Sequence, residues 1–155
     1  TDTLQEFSNI TQTTMYRVLV TSGTCASEYS SEVTVTVDAA PDAGTLGTDE
    51  TVCASGNSGT LTLTGYTGSI QMWQMDDGSG WVDIVNTTDA EPYNNLTTTT
   101  MYRTIVENGV CLPDTSNTTT ITVVAASDGG ILLSDQTVCE GESDTLFLDN
   151  SVGSI

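Results

Sequence analysis

Alternation with a period of two runs through most of the chain. In Thr60–Tyr66, Leu61 and Leu63 fall on one face and Thr62 and Thr64 on the other, the signature of a half-buried strand. Ile70–Met75 and Trp81–Val85 flank Asp76-Asp77-Gly78-Ser79-Gly80, which reads as a hairpin by its turn residues. Met101–Val106 runs into Asn108-Gly109, a strong turn signal. Thr118–Val124 places Ile121 and Val123 on one face, and Val33, Val35 and Val37 do the same earlier in the chain. No segment has helical periodicity of useful length. Short strands with regular turns predict an all-β chain built of β-sandwiches.

The pattern repeats. Thr13-Thr14-Met15-Tyr16-Arg17 recurs 86 residues later as Thr99-Thr100-Met101-Tyr102-Arg103. At the same spacing Cys25 recurs as Cys111, Thr51-Val52-Cys53 as Thr137-Val138-Cys139, and Asn9-Ile10-Thr11 as Asn95-Leu96-Thr97. After Cys139 the spacing is 85, matching Leu61 and Leu63 to Leu146 and Leu148, and Gly68-Ser69-Ile70 to Gly153-Ser154-Ile155. Residues 41–126 therefore read as one complete repeat. Residues 1–40 read as the back of a preceding copy and 127–155 as the front of a following one. About 86 residues suffice to close one small core. Neither partial copy can bury its apolar face alone, so both are expected to be ordered by further sequence, in the same chain or a neighbouring one.

Composition narrows the chemistry. The chain carries 2 Lys+Arg, which are Arg17 and Arg103, against 21 Asp+Glu, for a net charge of -19. It has no lysine and no histidine. Phosphate-neutralising nucleic-acid binding is excluded as a partner class, and so is adhesion to an anionic membrane surface. A Ser-His-Asp or Cys-His nucleophile cannot be built, nor a His-ligated metal site. No catalytic residues are expected, and no cofactor. No run of 18 apolar residues is present, so no membrane insertion is expected. No charged and apolar leader opens the chain, so no signal peptide is expected within it. The acidic excess reads as a solvated, self-repelling surface that suits an extracellular protein.

Several residues carry candidate roles. Trp73 and Tyr102 sit where a sandwich of the immunoglobulin type has a core Trp and a corner Tyr, and Tyr16 is the earlier copy of Tyr102. Asp77-x-Gly-x-Trp81 is a turn whose carboxylate can accept backbone N–H groups. Asp76 and Asp77 do not suit a catalytic pair, because adjacent strand residues point to opposite faces. In so acidic a chain, Arg17 and Arg103 are expected to anchor intramolecular carboxylates. Trp73, Trp81, Tyr66 and Tyr93 are the candidates for a sugar-stacking platform. Asp42, Asp49 and Glu50 cluster between repeats, and Asp128 and Asp135 repeat part of the set; these are candidate Ca²⁺ ligands at a linker. Asn9, Asn86, Asn95 and Asn117 open glycosylation sequons. Cys25, Cys53, Cys111 and Cys139 form no CxxC pair, and two per repeat favours disulfides in an oxidising compartment. Two schemes remain open: Cys53 with Cys111 inside the repeat, or Cys25 with Cys53 and Cys111 with Cys139.

Gly59-Thr-Leu-Thr-Leu-Thr-Gly65, Gly68-Ser-Ile70, Trp73-Gln74, Asp77-Gly78, Trp81-x-x-Ile84, Tyr93, Asn95-Leu96-Thr97, Thr99-Thr-Met-Tyr-Arg103 and Gly109-x-Cys111 together resemble one family. These are the immunoglobulin-like repeats of very large surface and secreted proteins of Bacteroidetes, including gliding-motility adhesins. The resemblance spans the whole chain. It implies tandem immunoglobulin-like β-sandwiches, export by the type IX system, and a place at the cell surface. The expected function is a structural spacer in a long extracellular adhesin or filament, with neighbouring repeats as partners. The alternative is a non-catalytic carbohydrate-binding module of a secreted enzyme, with a surface glycan as partner.

Overall fold

The computed structural model describes residues 5–133 and 135–154. Ile155, the counterpart of Ile70, lies outside the described residues. The chain is all-β, with no helix among the described residues.

Residues 41–126 hold β5 (Thr45–Leu46), β6 (Glu50–Cys53), β7 (Ser58–Thr64), β8 (Ser69–Asp76), β9 (Val82–Ile84), β10 (Ala90–Asn94), β11 (Thr100–Glu107), β12 (Asp114–Thr115) and β13 (Thr119–Val124). Two sheets form. One has the order β10-β7-β5; the other has β6-β13-β11-β8-β9, with β12 also on β11. All pairings are antiparallel except β6 with β13, which is parallel. The early segment thus contributes to both sheets, through β5 to one and β6 to the other, an arrangement consistent with a β-sandwich.

The core follows from the alternation. Leu61 and Leu63 of one sheet meet Ile70, Trp73, Tyr102, Val106 and Ile121 of the other, with Ala43, Leu46 and Tyr93 closing the edges. Among the described residues, every buried hydrophobic one lies between Ala43 and Ile121. The complete repeat therefore carries its own core. Trp73 is 0% exposed, and its indole N–H donates to Thr88 O at 2.9 Å. Tyr93 faces Gly59 across the β10–β7 pair. A side chain on Gly59 would overlap the tyrosine ring, so the glycine lets the ring lie flat over the strand.

β10 has no alternating apolar signal, since Ala90-Glu-Pro-Tyr-Asn94 is polar and contains proline. It forms because it is an edge strand, where Pro92 interrupts no interior ladder.

The partial copies keep the local geometry of the complete one. β1 (Thr14–Tyr16) pairs with β4 (Val33–Val35), and β2 (Leu19–Val20) with β3 (Glu28–Tyr29). Thr14↔Val35 matches Thr100↔Ile121 in register. Val37 N–H donates to Thr13 Oγ1 at 3.1 Å, as Val123 N–H does to Thr99 Oγ1 at 3.1 Å. At the other end β14 (Ile131–Leu132) pairs with β15 (Leu148–Asp149), as β5 pairs with β7. The apolar faces of both partial copies are open: Phe7, Met15, Val33, Ile131, Leu146 and Phe147 are all exposed.

Candidate functional site

The chain's contacts concentrate chemistry at one place, the joint where residues 36–43 leave the first copy and start the second. The Asn108–Cys111 turn of the second copy reaches back to this segment. Its closing hydrogen bond is Cys111 N–H to Asn108 O, 3.1 Å, and Gly109 takes a φ of 56°. A carboxylate oxygen of Asp38 accepts Val110 N–H at 3.1 Å. Asn108 Nδ2 donates to Ala39 O at 3.0 Å. The Cys111 thiol lies 3.7 Å from Asp38 O and 3.5 Å from Ala39 O. Any side chain at Gly109 would collide with the Asp38 carboxylate. Only glycine therefore satisfies both the left-handed backbone and the close approach.

Past the joint, the linker is stitched onto the second copy by side chains. Asp114 Oδ2 accepts Ala43 N–H at 2.9 Å, and Asn117 Oδ1 accepts Leu46 N–H at 2.7 Å. Thr119 Oγ1 donates to Gly47 O at 2.7 Å, and Asp49 Oδ1 accepts Thr120 N–H at 2.8 Å. Polar residues 71 or 72 positions apart thus fix the start of the repeat against its end.

The candidate calcium ligands are not gathered into one group. Asp42 Oδ1 accepts Gly44 N–H at 2.9 Å and Asp128 Oδ1 accepts Gly130 N–H at 3.0 Å. Asp49 holds Thr120, and Glu50 Oε2 accepts the Tyr93 hydroxyl at 2.6 Å. Asp135 lies in the third copy, away from these bonds. Each of the first four carboxylates caps a different donor. No group of three His, Cys, Asp or Glu able to hold a metal exists among the described residues.

Of the four platform candidates, two are withdrawn into the core. Trp73 and Tyr93 are buried. Arg103 lies over the Trp81 ring, 4.0 Å from guanidinium carbon to ring centroid, which occupies one face of that indole. Tyr66 is 37% exposed. Tyr102 is in the core, and its hydroxyl pKa is raised by burial and by the charge of Glu91. The Tyr93 hydroxyl is pushed up to about 12 by its bond to Glu50, then by burial. Tyr16 is half-buried and stacks on Phe7 at 6.3 Å.

The arginines divide. Arg17 meets Glu32 at 3.7 Å, an exposed pair, and lies over Tyr29 at 3.9 Å. Arg103 was expected to anchor a carboxylate, but its Nε donates to the Gln74 amide oxygen at 2.7 Å. Gln74 Nε2 in turn donates to Asp83 Oδ1 at 2.7 Å. The amide intervenes because Gln74 is opposite both residues in register.

In the Asp76–Gly80 hairpin, Asp77 Oδ1 accepts the Ser79 hydroxyl at 2.5 Å and Ser79 N–H at 3.2 Å. The hydroxyl bond, then the backbone bond, hold its carboxyl below the usual range. Asp76 does more for the backbone, since its Oδ1 accepts Gly78 N–H at 2.8 Å and Gly80 N–H at 2.9 Å.

Sequence reasoning missed Asn57. Its buried amide donates to Cys53 O at 2.7 Å and Leu96 O at 2.8 Å, and its Oδ1 accepts Leu96 N–H at 2.8 Å. Nothing in the local pattern marks it, because its partner Leu96 lies 39 residues away. Two sequon asparagines are likewise structural. Asn86 Nδ2 donates to Ala90 O and Glu91 Oε2, and Asn117 bonds Leu46. Asn9 and Asn95 are exposed, with φ of 53° and 49°.

All four cysteines are free. Cys53 lies level with Val124, past the start of β11, while Cys111 lies past its end. β11 is about 24 Å long at ~3.4 Å per residue, and a disulfide bridges Cα atoms at most about 7 Å apart. The within-repeat pairing of Cys53 with Cys111 is thereby corrected. Nor are Cys25 and Cys139 brought to either of them.

The model of a family described as a domain of unknown function, DUF8696, matches the chain over residues 1–39 and 42–125. No curated protein and no solved structure matches the chain.

Proposed function

The chain belongs to the DUF8696 family, and we propose that it is a non-catalytic spacer of tandem immunoglobulin-like sandwiches in a long extracellular adhesin or filament. The strand order supports the immunoglobulin-like part. An early segment split between sheets, a core Trp on the third long strand and a core Tyr on β11 are the marks of that fold. Thr104, two residues after Tyr102 and fully buried, stands where antibody domains place a disulfide cysteine. Ser116 Oγ, 2.9 Å from its N–H, fills the polar requirement instead.

One observation carries the spacer reading: the joint is a built contact and not a free tether. Asp38 and Ala39 of one copy bond Val110 and Asn108 of the next. Modules coupled in this way transmit orientation to their neighbours, and stability becomes a sum over modules and joints. The net charge of -19 keeps such an array solvated and apart from its neighbours.

Small-angle scattering on two complete repeats in tandem tests the reading. A spacer gives one extended shape whose maximum dimension holds from low to high salt. A dimension that collapses or broadens with salt describes beads on a tether and overturns it. Glycan-array binding by the single repeat at micromolar affinity would replace it with the carbohydrate-binding alternative.

A further inference from the structure

The two cysteines of a repeat sit at its opposite ends, and the joint shows what lies across from each. Cys53 is the parallel register partner of Val124. The residue after it, Ala54, donates its N–H to Val124 O at 2.8 Å. Val124 is the repeat counterpart of Asp38. In a complete copy ahead of the joint, a Cys53 counterpart would therefore run beside Asp38, with its successor bonded to Asp38 O. That same carbonyl oxygen is the one the Cys111 thiol contacts at 3.7 Å. Cys111 and the Cys53 position of the preceding copy thus converge on one backbone carbonyl.

The directions agree. Register partners on adjacent strands project to the same face. The Asp38 side chain projects onto the Asn108–Cys111 turn, where it bonds Val110 N–H. A cysteine paired with Asp38 projects onto the same turn. The space is also there. A cleft of ≈ 380 Å³ opens beside Ile10, Val37, Asp38 and Cys111. Ile10, Val37 and Asp38 are the counterparts of Leu96, Val123 and Val124. Those three flank the Cys53–Asn57 segment in the complete repeat. The cleft is the seat of that segment, and Cys111 forms its far wall. Adjacent strands are ~4.8 Å apart, so the Cys53 counterpart would lie that close to Asp38, whose carbonyl the Cys111 thiol already contacts.

We propose that consecutive repeats are covalently stapled by a disulfide between Cys53 of one copy and the Cys111 position of the next. It forms by thiol–disulfide exchange with a disulfide oxidant. Two thiols lose two protons and two electrons as the S–S bond closes, and the oxidant's own S–S bond is reduced to two thiols. Neither joint in residues 1–155 contains both members of a pair, so this stretch alone should keep four thiols. It rests on the tandem-spacer reading.

The test uses two copies of residues 41–126 in tandem, since that stretch carries its own core. The first copy bears Val124→Asp, so that the joint reads as Val37–Pro41 does. After equilibration with oxidised glutathione, non-reducing peptide mapping should find one bond, from the first copy's Cys53 to the second copy's Cys111. Two thiols should remain titratable, the first copy's Cys111 and the second copy's Cys53. Residues 1–155 treated identically should keep four. Cys53→Ser in the first copy should abolish the bond, while the same change in the second should leave it. A Cys53–Cys111 bond inside one copy overturns the proposal. So do four thiols in the oxidised tandem. Four thiols in a tandem that stays extended by scattering would overturn the staple alone and leave the spacer reading standing.

Discussion

The Tyr93 hydroxyl donates a 2.6 Å hydrogen bond to Glu50 Oε2, and this contact ties the two sheets together, since Tyr93 is on β10 and Glu50 on β6. The phenol is held protonated to about pH 12, mainly by that bond. Its folded pKa is above its unfolded value of 10.0. The stabilisation is therefore complete below pH 10 and lost as pH rises from there to about 12. Tyr93→Phe should cost about 1 kcal/mol at neutral pH and flatten the fall above pH 10. Urea unfolding of residues 41–126 across this range reads both effects. An unchanged alkaline slope in the variant would assign the fall to other groups.

Asn57 should matter more than its sequence context suggests. Asn57→Ala leaves Leu96 N–H, Leu96 O and Cys53 O without their partner. The expected loss is about 2–3 kcal/mol. Denaturant midpoints check it, with Asn94→Ala, an exposed neighbour, as the control expected to be near neutral.

In the hairpin the two aspartates should rank unequally. Asp76→Ala removes two backbone acceptor contacts and should cost about 1 kcal/mol. Asp77→Ala removes one backbone and one hydroxyl contact and should cost less. The Asp77 carboxyl is depressed below 3.8, so its contribution is present above that value and declines as pH falls through the folded pKa. Thermal melts between pH 2 and 6 should show a smaller acid loss in Asp77→Asn than in the native chain.

The carboxylates at the linker are occupied by N–H and O–H donors, which leads to a simple expectation. A chelator at fixed ionic strength should leave the melting temperature of residues 41–126 unchanged. A drop of several degrees would mean that a cation holds these groups in solution.

Val20 and Val106 occupy the same place in successive copies, yet Val20 is 59% exposed and Val106 0%. Hydrogen exchange on residues 1–155 should therefore protect Tyr102–Val106 strongly and Tyr16–Val20 weakly. Supplying the front of that copy, the counterpart of residues 41–86, ahead of residue 1 should raise the second to the level of the first. Equal protection in the unextended chain would mean that the early half is stable without its other strands.

The sequence by itself determined the strands that alternate and the turns that Gly and Asn dictate. Leu61 and Leu63, Ile121 and Val123, and Asn108-Gly109 are local signals with a period or a φ requirement behind them. It also determined the repeat, because identical residues in register at a spacing of 86 need no coordinates to be seen. Only the tertiary structure decided which distant polar groups meet. The β10 strand has no alternation and exists because β7 offers an edge. Asn57 gains its role from Leu96, and Asp49 from Thr120. The carboxylates that looked like a cation cluster in sequence order are dispersed once each has found a donor. The cysteines show the same division. Sequence counted two per repeat, but the parallel register of β6 on β13 set them at opposite ends, where no count could place them.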